Sequence, residues 1–466
     1  MVVPERLDHV LIQFDLTARR IKTMTIYPKM MLLGVALLGC MSAAQAQTHT
    51  DFGAEIAGSA DGSIPAYTGG GISPLPAAFK PDSGKYPDPF KDEKPLYSVT
   101  AQNLAEHAAS ITPGVQELLK RFPDYRLDVY PSHRTMQYPD WVLQNTRNQA
   151  GQAKLVGNEP GDGLEGVHAA IPFPQPSNGL QVMWNQAMRY QGPYTFMRFN
   201  TYFIDRSGSP VMVGDQEVKF MWPYYDRSAT SLESWNYHTS FSYRFGPPAQ
   251  VGQLAMQKWT INNSVRDDTT WVYTPGQRRV RIAPEMKYDS PVANIGGVLT
   301  FDELGGFNGR KDRFDFKLIG KQELLVPYNN YKAASGPGLV GKQHENPDFM
   351  RWEKHRVWVV EATLKPGKRH IYSKRVFFID EDTWVMTNYE AYDKSGALYR
   401  VVNTASFFLY DKPRVGQPTQ IIYDLTKGTW AVSGYIGDGR SVIKPYDEIP
   451  NQANFTPETM AADGVR

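Results

Sequence analysis

The segment from Arg351 to Trp384 constrains the fold of this chain more strongly than any other. It reads RWEKHRVWVVEATLKPGKRHIYSKRVFFIDEDTW, so runs rich in valine and aromatic residues are interrupted by Lys-Pro-Gly-Lys and by Asp-Glu-Asp. Such runs and breaks predict short antiparallel strands at Arg356–Leu364, Tyr372–Ile379 and Trp384–Tyr392, with 380–382 as a solvated turn. Aromatic and cationic side chains are interleaved and no catalytic group stands out, which favours a binding protein or carrier over an enzyme.

Charge and composition narrow the class of ligand. The chain of 466 residues carries 50 Lys and Arg against 48 Asp and Glu, so it has no positive field to attract nucleic acid. Its aromatic share of 12% must be buried in a core or used to line a ligand site. We therefore expect no nucleic-acid partner.

The first 46 residues have the pattern of a secretory signal peptide. A basic stretch precedes the apolar run 30–38, and Ala44-Gln45-Ala46 is a small-x-small cleavage signal. The apolar run is too short for a permanent membrane span. A start at Met24 would give a more typical signal length. We expect export to the periplasm, with cleavage after Ala46.

Cys40 is the sole cysteine and leaves a second route open. Leu37-Leu38-Gly39-Cys40 resembles a lipobox, in which the cysteine is lipidated and anchors the mature protein to a membrane. Cleavage after Ala46 would instead remove Cys40, and we favour that reading because the Ala44-x-Ala46 signal is clear. Either way no disulfide can form within the chain, so stability must come from core packing alone.

Residues 47–178 read as an N-terminal strap followed by helices. The Gly- and Pro-rich stretch 47–100 is either a solvated linker or an ordered strap held by spaced apolar anchors. Helices are predicted within 101–122, where Thr112-Pro113 begins the second of two, and at 141–153. The anchors of the strap reading are Ile64, Tyr67, Phe79, Tyr86 and Phe90.

Residues 179–466 read as a large antiparallel half-barrel that belongs to the same single mature domain. One helix-like stretch, Gly179–Tyr190, introduces many short strands separated by turns, so the fold class is mainly β with helices. Beyond the three strands above, the predicted strands are Thr195–Ile204, Gln216–Trp222, Ser240–Phe245, Trp259–Ser264, Asp268–Thr274, Arg278–Ala283, Phe316–Glu323, Leu398–Tyr410 and Gln420–Leu425.

Motifs for chemistry are missing from the sequence. There is no G-x-S-x-G elbow and no H-E-x-x-H pair. His344, Glu345, Glu353 and His355 could assemble a site, but a solvated loop beside a strand edge explains them better. We expect no catalytic residue, no metal and no cofactor.

The sequence indicates ligand binding more strongly than catalysis. Residues 271–281, WVYTPGQRRVR, predict a hairpin of aromatic and basic residues. It is either an exposed edge hairpin with cation–aromatic pairs or the rim of a cavity where arginines contact the anionic head group of a ligand.

The predicted strand Arg356–Leu364 is apolar on both faces, so we expect both faces to be covered, by protein or by an apolar ligand. The candidate ligand-binding residues are Trp271, Tyr273, Arg279, Arg281, Arg351, Trp352, Trp358, Val360 and Trp384.

Three long segments carry a family resemblance. AEIAGSADGSIPAYTGG (54–70), WVYTPGQRRVRIAP (271–284) and the segment 351–384 resemble family thirteen-twenty-nine among the domains of unknown function, a family of exported Gram-negative proteins. The resemblance covers nearly the whole mature chain. It implies a periplasmic or outer-membrane-associated location, like that of the proteins called outer-membrane lipoprotein-sorting proteins. It also implies a fold like the lipoprotein carriers of the Lol pathway, an incomplete antiparallel barrel wrapped over helices, and it supplies no catalytic residue.

The same resemblance implies partners, namely a resistance-nodulation-division transporter and an outer-membrane protein. The leading hypothesis is a carrier of a hydrophobic ligand such as a lipid, a lipoprotein acyl chain or another apolar compound. A structural adaptor of an envelope transport complex, with its cavity filled by its own side chains, is the alternative. An enzyme acting on envelope lipid or polysaccharide is the third.

Overall fold

The computed structural model describes residues 47–159, 161–229, 236–416 and 419–465. In these residues, short alternating segments and tight turns form twenty strands and six α-helices. The signal-peptide prediction for 1–46 and Cys40 lies outside these residues. The helices are α1 (Leu104–His107), α2 (Pro113–Arg121), α3 (Asp140–Asn148), α4 (Gly179–Ala187), α5 (Tyr331–Ser335) and α6 (Pro457–Val465). The strands are β1 (Tyr97–Val99), β2 (Leu127–Val129), β3 (Lys154–Val156), β4 (Gly163–Glu165), β5 (Tyr194–Ile204), β6 (Pro210–Met221), β7 (Asn236–Gly246), β8 (Leu254–Thr260), β9 (Thr269–Thr274), β10 (Arg279–Ile282), β11 (Phe314–Pro327), β12 (Trp352–Leu364), β13 (Lys374–Asp380), β14 (Met386–Tyr392), β15 (Leu398–Ala405), β16 (Phe408–Leu409), β17 (Arg414–Val415), β18 (Thr419–Asp424), β19 (Thr429–Tyr435) and β20 (Val442–Tyr446).

One large sheet dominates this part of the chain. Its strand order is β1-β2-β12-β13-β14-β15-β18-β19-β5-β6-β7-β8-β9-β10, while β11 pairs with β12 and β20 pairs with β5. All of these pairings are antiparallel except the single parallel contact of Trp352 with Val129. The sheet does not close into a barrel. The predicted fold class, mainly β with helices and an incomplete antiparallel barrel, is confirmed.

The described residues from Gln47 onward form one compact unit. The division at residue 178 into strap and half-barrel stays a prediction. Within the described ranges, no helix is both long enough and apolar enough to cross a membrane.

Helix α2 begins where the sequence predicts. The side chain of Thr112 accepts a hydrogen bond from the Val115 backbone N–H at 3.4 Å, and Pro113 occupies the first turn, where its missing N–H costs nothing. Leu118 and Leu119 are fully buried against the sheet side. The helix ends at Arg121, where basic side chains complement its C-terminal dipole.

The strand β12 is covered on both faces, as its sequence predicts. Trp358 and Val360 join the main core cluster, whereas Val357 and Val359 join a smaller cluster on the opposite face. Both covers consist of the protein's own side chains.

The prediction of a solvated turn at 380–382 is wrong. Asp380, Glu381 and Asp382 are 0%, 2% and 1% exposed. Asp382 accepts two hydrogen bonds from the guanidinium of Arg134, at 2.9 and 2.6 Å, and Lys321 contacts Glu381 at 2.7 Å. These cations replace the water that would otherwise solvate the turn, so stability does not come from apolar packing alone.

Residues 47–96 contain almost no regular structure but are fastened to the core. Ile64 and Tyr86 are buried, and Tyr67, Phe79 and Phe90 pack against the main cluster, so this stretch lies on the protein as an ordered strap.

Several element boundaries differ from the sequence prediction. The strand placed at Trp259–Ser264 is β8, which begins earlier, at Leu254, because the alternation that defines it starts before the tryptophan. The strands β19 and β20 and the helix α6 were not predicted.

Candidate ligand-binding cavity

The largest cavity of the described structure lies between the concave face of β5–β9, the end of α4 and the segment 285–305. Its volume is about 860 Å³, within the range of about 300–1,000 Å³ common for ligand sites. Its sheet wall consists of Phe199, Gln216, Val218, Phe220, Trp222, His238, Ser240, Ser242, Arg244, Gln253, Ala255, Gln257, Trp259 and Thr270.

Strand register arranges this wall in rows. In the middle row Ser242 lies between Val218 and Ala255 on the neighbouring strands. The next row toward the closed end is Phe220, Ser240 and Gln257, followed by Trp222, His238 and Trp259. Because successive rows are two residues apart, the six residue-to-residue steps from His238 to Arg244 span about 20 Å along the strand.

The middle of the wall leaves space because β7 and β8 present small or polar side chains to the cavity there. The bulky neighbours Phe241, Leu254 and Met256 point to the opposite face, where they pack under Phe455 and Met460 of the C-terminal region. Side chains alternate between the two faces of a strand, so this arrangement is fixed by the sequence itself. On β7 and β8 the middle rows are left with serine, alanine and glutamine, which do not fill the space.

Three stacked rings line the closed end of the cavity. The imidazole of His238 lies between the indoles of Trp222 and Trp259, at centroid distances of 4.7 and 4.4 Å and nearly parallel to both. Burial lowers the pKa of His238 to about 3, and the charge of Arg189 acts in the same direction. The ring is therefore neutral at physiological pH, and its Nε2 atom has no hydrogen-bond partner among the described residues.

Arg189 follows α4 and reaches the same cavity. It is 5% exposed and donates to the carbonyl oxygens of Gln186, at 2.8 Å, and Gly305, at 3.5 Å. Burial lowers the pKa of Arg189 to about 10, so the guanidinium remains charged. Gln191 also lines the cavity, and its Oε1 atom is buried without a partner in the described structure.

The mouth lies at the other end of the rows. Pro291 and Ala293 line it and are exposed. Arg244 donates to Gln250 at 2.9 Å at this end. A smaller pocket of about 260 Å³ adjoins the cavity and shares some of its lining residues.

Comparisons with known proteins identify the family. Residues 98–461 match the family model described as Protein of unknown function (DUF1329). The chain belongs to the DUF1329 family. The resemblance expected from the sequence is thereby confirmed.

Three known proteins are similar to this DUF1329 chain. It is 36% identical over 451 residues to Uncharacterized protein PA3922 of Pseudomonas aeruginosa, covering 93% of this chain and 96% of the relative. A crystal structure of a DUF1329 family protein from Desulfovibrio piger matches with a TM-score of 0.41 and 14% identity, over 60% of this chain and 97% of that one. The LolA superfamily protein NE2245 from Nitrosomonas europaea matches with a TM-score of 0.36 and 10% identity, over 61% and 100%.

None of the nine residues predicted to bind ligand lines the cavity of this DUF1329 chain. In the hairpin of β9 and β10, Trp271 and Tyr273 pack in the cluster that faces α6. Arg279 and Arg281 are exposed on β10, which is the last strand of the sheet, and Arg281 pairs with Glu285 at 2.9 Å. The hairpin itself is present, with Tyr273 opposite Val280.

The five predicted residues of the segment 351–384 lie in packed surroundings. Arg351 pairs with Glu93 and Glu353, and Trp352 is fully buried in a separate core cluster. The remaining three lie in the main core. Trp358 stacks at 6.2 Å on Trp384, whose indole N–H donates to the Phe52 carbonyl at 3.1 Å, and Val360 packs near Gly179. Ligand binding by all nine residues stays a prediction, and the cavity lends it no support.

A buried polar cluster lies beside this core. The ligand atoms of His355, Asp380 and Asp382 come within 4.8 Å of one another, as a metal site requires. Both oxygens of Asp382 already accept from Arg134, and Asp380 Oδ2 accepts from Thr383. The cluster is therefore built as an ion-pair network.

The prediction that His344, Glu345, Glu353 and His355 lie on a solvated loop and a strand edge is wrong. His355 is buried with its Nε2 at 3.0 Å from Glu353, and Glu345 is buried and accepts from Tyr125 at 2.9 Å. The two halves lie in different polar clusters instead of forming one site.

Sequence reasoning missed the residues that line the cavity. A signal was available in the predicted strands, because Ser240, Ser242 and Arg244 alternate with Phe241 and Tyr243. Such a strand buries its apolar face and leaves a polar face. Which face turns toward the interior depends on α6, a helix that the sequence did not reveal.

Proposed function

We propose that this protein is an envelope carrier that binds a hydrophobic or amphiphilic ligand in the cavity beneath β5–β9. The observation that carries the proposal is the middle of the wall, where Phe241, Leu254 and Met256 face α6 while Ser240, Ser242 and Ala255 face a space of about 860 Å³. Each methylene group moved from water into such a site contributes about 0.8 kcal/mol to binding. Family membership and the exported N-terminal pattern support a periplasmic or outer-membrane-associated location.

The same observation separates the carrier from the structural adaptor. An adaptor whose cavity is filled by its own side chains requires large residues at the centre of the wall. The middle row holds Val218, Ser242 and Ala255, none of them large, so the carrier accounts for the wall better than the adaptor does. Partnership with a resistance-nodulation-division transporter and an outer-membrane protein stays a prediction, as does the lack of catalysis.

Filling the cavity tests the carrier. Ala255→Trp places an indole in the middle row, and Val211→Trp places the same group at a site that is 53% exposed on β6 and outside the cavity lining. Delipidated protein is titrated with the neutral fluorophore N-phenyl-1-naphthylamine, and lipids that copurify with each variant are identified by native mass spectrometry.

We expect the parent and Val211→Trp to bind the fluorophore equally and Ala255→Trp to bind at least about tenfold more weakly, a loss of about 1.4 kcal/mol. Melting temperatures confirm that both variants are folded. Failure of the parent to bind any lipid or fluorophore, or equal binding by Ala255→Trp, would contradict the carrier function.

A further inference from the structure

Arg189 differs from every other buried arginine of the described structure. Seven arginines are buried there. Six of them have a carboxylate within ion-pair distance, for example Arg375 with Asp302 at 3.0 Å and Arg400 with Asp424 at 3.4 Å. The others in that group are Arg134, Arg351, Arg356 and Arg414. For Arg189, no carboxylate of a described residue lies within this distance, although the cost of burying its charge is the same.

The contacts of Arg189 only partly offset that cost. Its two hydrogen bonds go to backbone carbonyl oxygens at the end of α4 and at Gly305. The groups that act on its charge are the phenols of Tyr225 and Tyr237, which are not ionised at neutral pH because burial raises the pKa of each. A buried cation in this setting is stabilised by an anion that enters the cavity.

Neutral polar groups of the wall lie at the same closed end. The charge of Arg189 acts on His238, whose ring is held by two indoles and whose Nε2 is unpartnered among the described residues. Gln191 follows Arg189 by two residues and has a buried, unpartnered Oε1, and rotation of the amide would present its NH₂ group instead. An anionic oxygen requires such donors, and a hydrocarbon requires none.

We propose that Arg189, His238 and Gln191 form a subsite for the anionic head of an alkyl-chain ligand, a carboxylate or a phosphate. The inference rests on the carrier function and deepens it. The head binds at the closed end, and the chain runs along the rows of Ser240 and Ser242 toward the mouth. The rows span about 20 Å. One leaflet of a bilayer core is about 15 Å thick, so a single membrane acyl chain fits this length.

The mouth holds one other cation. Arg244 donates to the side chain of Gln250, and no buried polar group without a partner lies beside it among the described lining residues. The unpartnered groups beside Arg189 favour the closed end for the anionic head.

Matched ligands and matched arginine substitutions test the subsite. Tetradecanoate, tetradecyl phosphate and the neutral tetradecan-1-ol compete for bound N-phenyl-1-naphthylamine in the full protein, in parent, Arg189→Gln and Arg198→Gln. Arg198 is the control because it lies on β5, pairs with Asp215 at 3.1 Å and is not part of the cavity lining.

We expect the parent to prefer one or both anionic ligands over the alcohol by at least about tenfold, since charge-assisted hydrogen bonds are the stronger kind. Arg189→Gln should lose most of this preference while its affinity for the alcohol changes little, and Arg198→Gln should keep it. Comparison of the carboxylate with the phosphate identifies the head. His238→Phe keeps the ring stack and should also reduce the preference for anionic ligands over the alcohol. This variant replaces Arg189→Gln as the test if Arg189→Gln does not fold.

Two results would overturn the subsite. The first is equal binding of all three ligands by the parent, which leaves the carrier function intact. The second is loss of the preference in Arg244→Gln with retention in Arg189→Gln, which places the head at the mouth. Failure of every ligand and of the fluorophore to bind would instead contradict the carrier itself.

Discussion

Asp380, in the buried turn 380–382, is expected to make the protein less stable as the pH rises. Burial raises the pKa of Asp380 from 3.8 to about 7, and the neighbouring Asp382 charge adds to the effect. Its Oδ1 atom is unpartnered among the described residues and lies 3.8 Å from His355 Nδ1. The folded protein therefore holds a proton on Asp380 that the unfolded chain releases between these two pKa values.

The sign and size of the effect follow from proton linkage. Because the folded state binds more protons, the free energy of unfolding falls as the pH rises through this window. With one pKa unit equivalent to about 1.36 kcal/mol, the loss between about pH 5 and about pH 8 is about 2.5 kcal/mol. His355 adds to it in the same direction. Burial alone would lower the pKa of His355, but its hydrogen bond to Glu353 and the charge of Glu353 raise it, so its stabilising charge is also lost at high pH.

The variant Asp380→Asn tests this reasoning because an amide resembles the protonated carboxyl in shape and carries no charge. Urea unfolding at about pH 5 and about pH 8 should show that the variant loses about 2.5 kcal/mol less stability than the parent. Asp382→Asn is the matched control in the same turn. It breaks the paired hydrogen bonds from Arg134, and the variant should be less stable by about 3–5 kcal/mol at about pH 5. Because the Asp382 charge also raises the pKa of Asp380, this variant should keep only part of the pH dependence. An unchanged pH dependence in Asp380→Asn would refute the protonated, buried Asp380.

Three further substitutions probe other parts of the fold. Asp302→Asn removes the charge that pairs with the fully buried Arg375 and should reduce the free energy of unfolding in urea by about 3–5 kcal/mol. Gly53→Ala forces a Cβ atom to within 1.9 Å of the Pro174 carbonyl oxygen at a backbone φ of 101°, so we expect a loss above about 1 kcal/mol and faster proteolysis of the N-terminal strap. Met460→Ala removes a fully buried side chain of α6 and should lower the free energy of unfolding by about 2–5 kcal/mol, with faster hydrogen exchange in that helix. For each of these three variants, a stability equal to that of the parent would contradict the contact that the substitution removes or disturbs.

Local patterns predicted much of the fold. The Thr112-Pro113 start of α2 and the hairpin of β9 and β10 follow from cap and turn chemistry, which acts within a few residues. The strand β12 was also found, with both faces covered, because a strand that is apolar on both sides has no face for water. In each case the information lies in the segment itself.

The candidate site could not be predicted in the same way. An arginine such as Arg351 looks like a ligand-binding group in the sequence, yet in the fold it neutralises Glu93 and Glu353, which lie on other segments. Arg189 carries no signal that distinguishes it from other arginines, and only the three-dimensional structure shows that it lacks a carboxylate partner. Long-range pairing of charges therefore decided which cations are structural and which face the cavity.

The segment 351–384 and the cavity have separate tasks in this arrangement. Its acidic turn holds the strap through Lys321, which bridges Glu381 and Glu55, and through the bond from Trp384 to the Phe52 carbonyl. Each of these contacts is buried or partly buried and directed into the protein, so these side chains of the segment stabilise the fold. The cavity differs from this segment. Two arginines line it, Arg189 and Arg244, and neither has a carboxylate of a described residue within ion-pair distance, whereas the cations around the turn 380–382 are all paired.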